Sequence, residues 1–150
     1  MANHELHHVT LERQHDYQFA VRFDDVGGTP SIVCDEPAPL GEGSGPNPAD
    51  LLAAAVGGCL AASLTFCLRR ARIEPEKLVV HVTTRATRNS QGRLRISGID
   101  VELTPTIGGS ETSGLQRCHE LFEDFCTVTA SIRHGIPVSV SLGNSMESAA

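Results

Sequence analysis

The chain has 150 residues, 40% of them hydrophobic and 20% charged, with no Trp, one Tyr and five Phe. That length and balance fit one globular domain and exclude a disordered or fibrous chain. A formal net charge of −6 argues against a nucleic-acid partner, and the single lysine, Lys77, leaves Schiff-base chemistry one poor loop candidate.

The opening Met1-Ala2-Asn3-His4-Glu5 shows no basic region ahead of an apolar core, so no secretory signal is read there. The expected compartment is therefore the reducing cytoplasm, with the five cysteines starting as thiols. An odd count also fits poorly with a disulfide framework. A single domain is expected over 1–150, frayed at 1–7 and 144–150.

Residues 8–24 carry β-type alternation at Val9, Leu11, Tyr17, Phe19, Val21 and Phe23. Val26-Gly27-Gly28-Thr29-Pro30 reads as a turn and Ser31 to Asp35 as the returning strand. A loop rich in Pro and Gly follows over 36–46. Its end starts a helix, with Asn47 at the N-cap, Pro48 in the first helical position and Asp50 at the third. The helix is expected to run to about Arg72, with Arg69, Arg70 and Arg72 complementing its dipole. Its run from Leu51 to Leu68 is uncharged, but Ala, Gly, Ser and Thr make up much of it, which favours a buried core helix over a membrane span.

Leu78 to Thr84 reads as a strand, Asn89-Ser90-Gln91-Gly92 as a turn, and Arg93 to Leu103 as a second strand with a bulge at Ser97-Gly98. Helical spacing returns over 111–126 at Leu115, Cys118, Leu121, Phe122 and Phe125, with a short helical turn on to His134. Ile136 to Leu142 is expected to be a last strand, with Pro137 near its start. The order ββ-α-ββ-α-β is an α+β fold with antiparallel hairpins. The first helix is apolar on every side, and a sheet covers only one side, so a homodimer is the expected way to bury the rest.

Chemistry points to Cys59 and Cys126. A thiol inside an apolar helix is usually a small buried hydrophobe. Gly57 and Gly58 beside Cys59 each cost that helix about 1 kcal/mol relative to alanine, which implies a close approach by a second helix or a substrate. Cys126 opens Cys126-Thr127-Val128-Thr129, ahead of Gly135-Ile136-Pro137-Val138. The bland alternative for both is packing. Cys34, Cys67 and Cys118 read as structural thiols, with Cys67 near enough to Cys59 on the helix for mispairing. No paired Cys-x-x-Cys knuckle supports a metal site at Cys118-His119, and the glycines of 41–46 lack phosphate-loop spacing. The histidines at 4, 7, 8 and 15 read as a solvated arm.

The run Gly45-Pro46-Asn47-Pro48-Ala49-Asp50-Leu51-Leu52-Ala53-Ala54-Ala55-Val56-Gly57-Gly58-Cys59 resembles the cysteine helix of the OsmC/Ohr family, the osmotically inducible and organic hydroperoxide resistance proteins. The Cys126-Thr127-Val128-Thr129 to Gly135-Ile136-Pro137-Val138 stretch resembles its second signature, and together the likeness spans about residues 9–142. The resemblance implies an intertwined homodimer and a thiol peroxidase acting on organic hydroperoxides. It implies that Cys59 is peroxidatic, that Cys126 resolves it as a disulfide, and that an arginine–carboxylate pair polarises the thiolate. The carboxylate falls on Asp50, one methylene shorter than the family's glutamate, and the arginine on Arg22 or Arg13, with Arg22 preferred. No metal, haem or flavin is implied; an external dithiol, such as a lipoylated protein, resets the pair. A dimeric small-molecule or acyl-binding protein, or a redox sensor, is the alternative on the same scaffold.

Overall fold

The structure is a computed structural model in which residues 5–109 and 113–143 are described. Part of the expected frayed ends, 1–4 and 144–150, lies outside those residues. The N-terminal part is a three-stranded antiparallel sheet of β1 (Val9–His15), β2 (Gln18–Phe23) and β3 (Ile32–Cys34), in the order β1-β2-β3. The sequence pattern over 8–24 read as one strand; it is a hairpin. His15 pairs with Gln18, so the turn is only two residues long, and Asp16 takes a positive φ of 43°. No glycine marks that turn, and a short polar side chain tolerates the left-handed conformation.

Helix α1 (Pro48–Arg70) begins as expected. The Asn47 side chain accepts from the Asp50 N–H at 2.9 Å, and the Asp50 carboxylate accepts from the Asn47 N–H at 3.0 Å. This reciprocal capping box satisfies two of the donors that a helix start leaves open. A long antiparallel ribbon follows, β4 (Lys77–Arg88) paired with β5 (Leu94–Thr106). Its register shifts at Arg85/Ala86, opposite Gly98 and Ile96, leaving Ser97 as the extra residue of the expected bulge. Helix α2 (Ser113–Leu121) runs into a 3₁₀ turn (Phe122–Phe125), then α3 (Thr127–His134). Cys126 therefore does not close a helix; it separates the 3₁₀ turn from α3.

The core forms where α1 meets the ribbon and the later helices. Leu64, Leu68, Leu115 and Cys118 make one buried cluster; Val56, Leu60 and Cys126 make a second, and Leu103 and Phe122 pack against both. These contacts bury one side of α1 in the core; by length and composition the helix is also apolar enough to cross a membrane. They explain one glycine: a Cβ on Gly57 would sit 2.7 Å from Val82 Cγ2, so the element approaching there is strand β4, neither a second helix nor a substrate. A Cβ on Gly58 would meet nothing within 4 Å.

Large apolar surfaces stay uncovered within the chain. Ala54, Ala55, Gly58, Ala62 and Phe66 lie exposed along one side of α1. Among the described residues the β1–β3 sheet makes no extensive contact with a helix, and Val9 and Leu11 on its apolar face are about half exposed. The expected last strand is a correction: residues 136–143 form no strand, and Val138, Val140 and Leu142 are 82%, 89% and 96% exposed. The alternation is there, but among the described residues no strand edge pairs with it, and a ladder needs an edge.

Candidate active site

Two elements bring Cys59 and Cys126 together. Cys59 stands about three turns into α1, on the border between its covered and uncovered sides, and is partly exposed. Cys126 is fully buried and is the N-cap of α3. Its sulfur takes the place that a Ser or Asp oxygen commonly fills: the Thr129 N–H donates to Sγ at 3.4 Å, and the Thr129 hydroxyl lies 3.0 Å away. The two thiols are near enough to influence each other's ionisation, and Cys59 packs against the Cys126 cluster.

The environment separates the two sulfurs. Burial pushes the Cys59 thiol up from its ordinary value, the neighbouring Cys126 thiol adds to this, and the N–H groups of Val128 and Thr127 oppose it. Burial also acts upward on Cys126. There it is outweighed by the combined influence of the Cys59 thiol, the Thr129 hydroxyl, and the N–H groups of Thr129 and Val128, so the Cys126 thiol is lowered. Negative charge within this single chain is thus better held on Cys126. Thr129, itself buried, is a site residue that the sequence reading missed; its signal was a hydroxyl at the third position of a helix capped by cysteine.

The other expected site residues stand elsewhere in the chain. Asp50 is held in the capping box, nine residues before Cys59 and so about 13 Å from it along the axis. Arg22 pairs with Glu12 across the β1–β2 hairpin at 3.3 Å, with both side chains more than half exposed. Arg13 donates through Nε to the Asp16 carbonyl at 2.9 Å. A second correction concerns the cysteines read as structural thiols. Cys67 and Cys118 form a disulfide, with Cα atoms 5.6 Å apart, linking α1 to α2. Cys34 remains a buried thiol, raised by burial and then by Glu36, Asp35 and Asp50. Among the described residues no group of three or more His, Cys, Asp or Glu is placed to hold a metal ion.

A cavity of about 500 Å³ flanks the pair, walled by apolar side chains including Val56, Leu60, Val101, Phe122 and Ile132. Arg133 and Glu123, paired at 2.9 Å, stand in the same wall. Thr129 also lines it, which places this apolar space one side chain from the Cys126 sulfur. The arrangement can make and break a disulfide, and it can seat an apolar group beside it.

Residues 41–141 match the family described as OsmC-like protein. The chain belongs to the OsmC-like family. Among solved structures, an OsmC-like protein of unknown function from Vibrio cholerae superposes with a TM-score of 0.72 at 15% identity, over 85% of this chain and 93% of that one. The OsmC-like protein of Mycoplasma pneumoniae gives 0.70 at 17% identity, over 86% and 88%. The organic hydroperoxide resistance protein OhrB of Bacillus subtilis gives 0.57 at 20% identity, over 84% and 90%. At these identities the likeness shows the OsmC-like fold, α+β with antiparallel sheets and three helices. No curated protein sequence matches the chain.

Proposed function

We propose that this OsmC-like chain is a thiol-dependent peroxidase that reduces organic hydroperoxides to alcohols. The observation that carries the reading is the packing of Cys59, on α1, against Cys126, far along the sequence at the N-cap of α3, beside an apolar cavity. The Cys59 thiolate attacks the distal peroxide oxygen, the O–O bond breaks, and the alkoxide takes a proton to leave as an alcohol. The Cys59 sulfenic acid then condenses with Cys126, forming the disulfide and releasing water. An external dithiol, of the lipoylated-protein kind, resets the pair.

The asymmetry of the sulfurs supports this order. Cys59 is the more exposed, so a peroxide and later a reductant reach it first. Cys126, the more readily ionised, is then the better leaving group when a dithiol attacks Cys59. The apolar cavity accepts the organic part of the peroxide and disfavours hydrogen peroxide.

Cys59, raised by burial, needs a cation, and none among the described residues acts on it. We propose that a homodimer supplies it. Among the described residues the exposed side of α1 borders Cys59, the β1–β3 sheet makes no extensive contact with a helix, and the alternating segment 136–142 joins no strand edge. A second copy covers all three at once and brings an arginine, Arg22 or Arg13, from its sheet to the exposed side of α1, between Asp50 and Cys59. The proposed setting is the cytoplasm, with no metal or organic cofactor in the cycle.

Thiol counting against cumene hydroperoxide tests the reading. The wild-type chain is expected to lose two thiols per molecule rapidly and recover them with a dithiol, whereas Cys59→Ser loses none rapidly. Slow loss in both proteins would leave a binding protein, and stoichiometric oxidation without turnover a sensor. Faster turnover of hydrogen peroxide than of cumene hydroperoxide would overturn the substrate class.

A further inference from the structure

The Cys67–Cys118 disulfide stands in the wall of a separate cavity of about 660 Å³ at the seam of α1 and α2. Cys67 is partly exposed there and Cys118 is 2% exposed, so a reagent entering the cavity meets the Cys67 sulfur. Arg70 and Arg117 line the same cavity. Four of the chain's arginines are matched by carboxylates, Arg22 by Glu12, Arg69 by Glu74, Arg85 by Asp100 and Arg133 by Glu123; Arg70 and Arg117 are among the rest. Among the described residues no carboxylate forms an ion pair with Arg70 or Arg117; Arg70 instead lies over the Phe66 ring, 5.8 Å from its centroid. In a chain of net charge −6, this leaves a local positive field in front of a disulfide.

We propose that Cys67–Cys118 is a second redox site, reduced by small thiols that carry a carboxylate. The carboxylate is drawn to Arg70 and Arg117, which places the thiolate against Cys67. The thiolate forms a mixed disulfide with Cys67, the Cys67–Cys118 bond breaks, and Cys118 leaves as a thiolate that takes a proton. A second thiol then attacks the mixed disulfide, releasing the small-molecule disulfide and leaving two protein thiols. The couple is independent of Cys59 and Cys126. Eight residues of α1 separate Cys59 from Cys67, about 12 Å along the axis, and Leu103 and Phe122 pack between the clusters that hold the two pairs. Reduction therefore acts on α2, whose buried residues are Leu115 and Cys118, by removing its covalent tie to α1.

The test uses the oxidised full-length protein with two probes, 3-mercaptopropionate and the neutral 2-mercaptoethanol, at equal thiolate concentration and low salt. Alkylation followed by peptide mass spectrometry reports reduction at Cys67 and Cys118. Reduction about tenfold faster with 3-mercaptopropionate is expected, from steering by a pair of like charges. That ratio is expected to shrink on adding about 0.5 M salt, which screens exposed charges, and to approach unity in Arg70→Gln/Arg117→Gln. Equal rates for the two thiols in the wild-type protein, or a ratio that survives both salt and the double substitution, would overturn the proposal. The salt series needs no variant, so a folding defect in the double mutant leaves the test intact. The readout is confined to the Cys67 and Cys118 peptides, so its failure leaves the Cys59 peroxidase reading standing.

Discussion

Gly57 and Val82 offer a sharp test of why this helix tolerates glycine in its middle. Gly57→Ala adds helix propensity worth about 1 kcal/mol. It also places a Cβ 2.7 Å from Val82 Cγ2 and 3.5 Å from Val80 Cγ1. Val82 is β-branched and held in the β4–β5 ladder opposite Val101, so its methyl cannot swing away cheaply. Forcing an extra methyl into a packed site costs about 1–3 kcal/mol. The net effect of Gly57→Ala in the wild-type chain is therefore neutral to destabilising, up to about 2 kcal/mol once the propensity gain is subtracted. In a Val82→Ala background the clashing methyl is gone, and Gly57→Ala is expected to stabilise by about 1 kcal/mol. The coupling between the two positions is then about 1–3 kcal/mol, within the range for residues in contact. Urea unfolding of the four proteins at one chain concentration measures it. Equal stabilisation by Gly57→Ala in both backgrounds would refute the claim that close strand approach dictates glycine here.

Other consequences follow from the loop, the thiol pair and the disulfide. The buried Asp35 carboxylate accepts from the N–H groups of Glu36, Glu42 and Ser44 at 2.8, 3.2 and 3.0 Å. The Ser44 bond is the largest influence, and the carboxyl is lowered from 3.8 against the opposing effect of burial. Its stabilisation is therefore complete above the ordinary carboxylate range and disappears as pH falls through the depressed value. Thermal melts from pH 6 downward should show the wild type losing more stability than Asp35→Asn; parallel curves would contradict this. Thr129→Val removes a hydroxyl from the Cys126 sulfur and should cut its ionised fraction about tenfold at neutral pH, one hydrogen bond to a charged group being worth about 1.5 kcal/mol. Because a more basic thiolate attacks faster, disulfide closure after a peroxide pulse should slow by only about threefold, and stopped-flow thiol loss would reveal an unchanged rate if Thr129 is a bystander. Cys118→Ala opens a crosslink between residues 51 positions apart. Chain entropy assigns such a link about 4 kcal/mol, so the urea midpoint of the oxidised wild type should exceed that of the variant and fall towards it on full reduction; coincident curves would deny the bond any weight.

Much of the architecture was legible one segment at a time. The start of α1 is written in Asn47, Pro48 and Asp50, whose side chains complete a capping box among themselves. The ribbon and its bulge are written in the interrupted alternation around Ser97-Gly98. Each of these signals acts over three or four residues, so no distant partner is needed to decide it. The turn at Asp16 was less visible because a non-glycine residue adopts its positive φ.

The site itself divides along the same line. Composition and motif singled out Cys59 and Cys126, and the sequence by itself determined that one lies in an apolar helix and the other ahead of a hydroxyl-rich turn. Only the tertiary structure decided that the Cys126 thiol is lowered, by Cys59 and then by Thr129 and Val128, while that of Cys59 is raised, that Cys67 bonds Cys118, and that 136–142 finds no ladder among the described residues. Those outcomes depend on which faces of separate elements meet. Periodicity fixes the face that a residue occupies on its own helix or strand, but it carries no information about the face opposite.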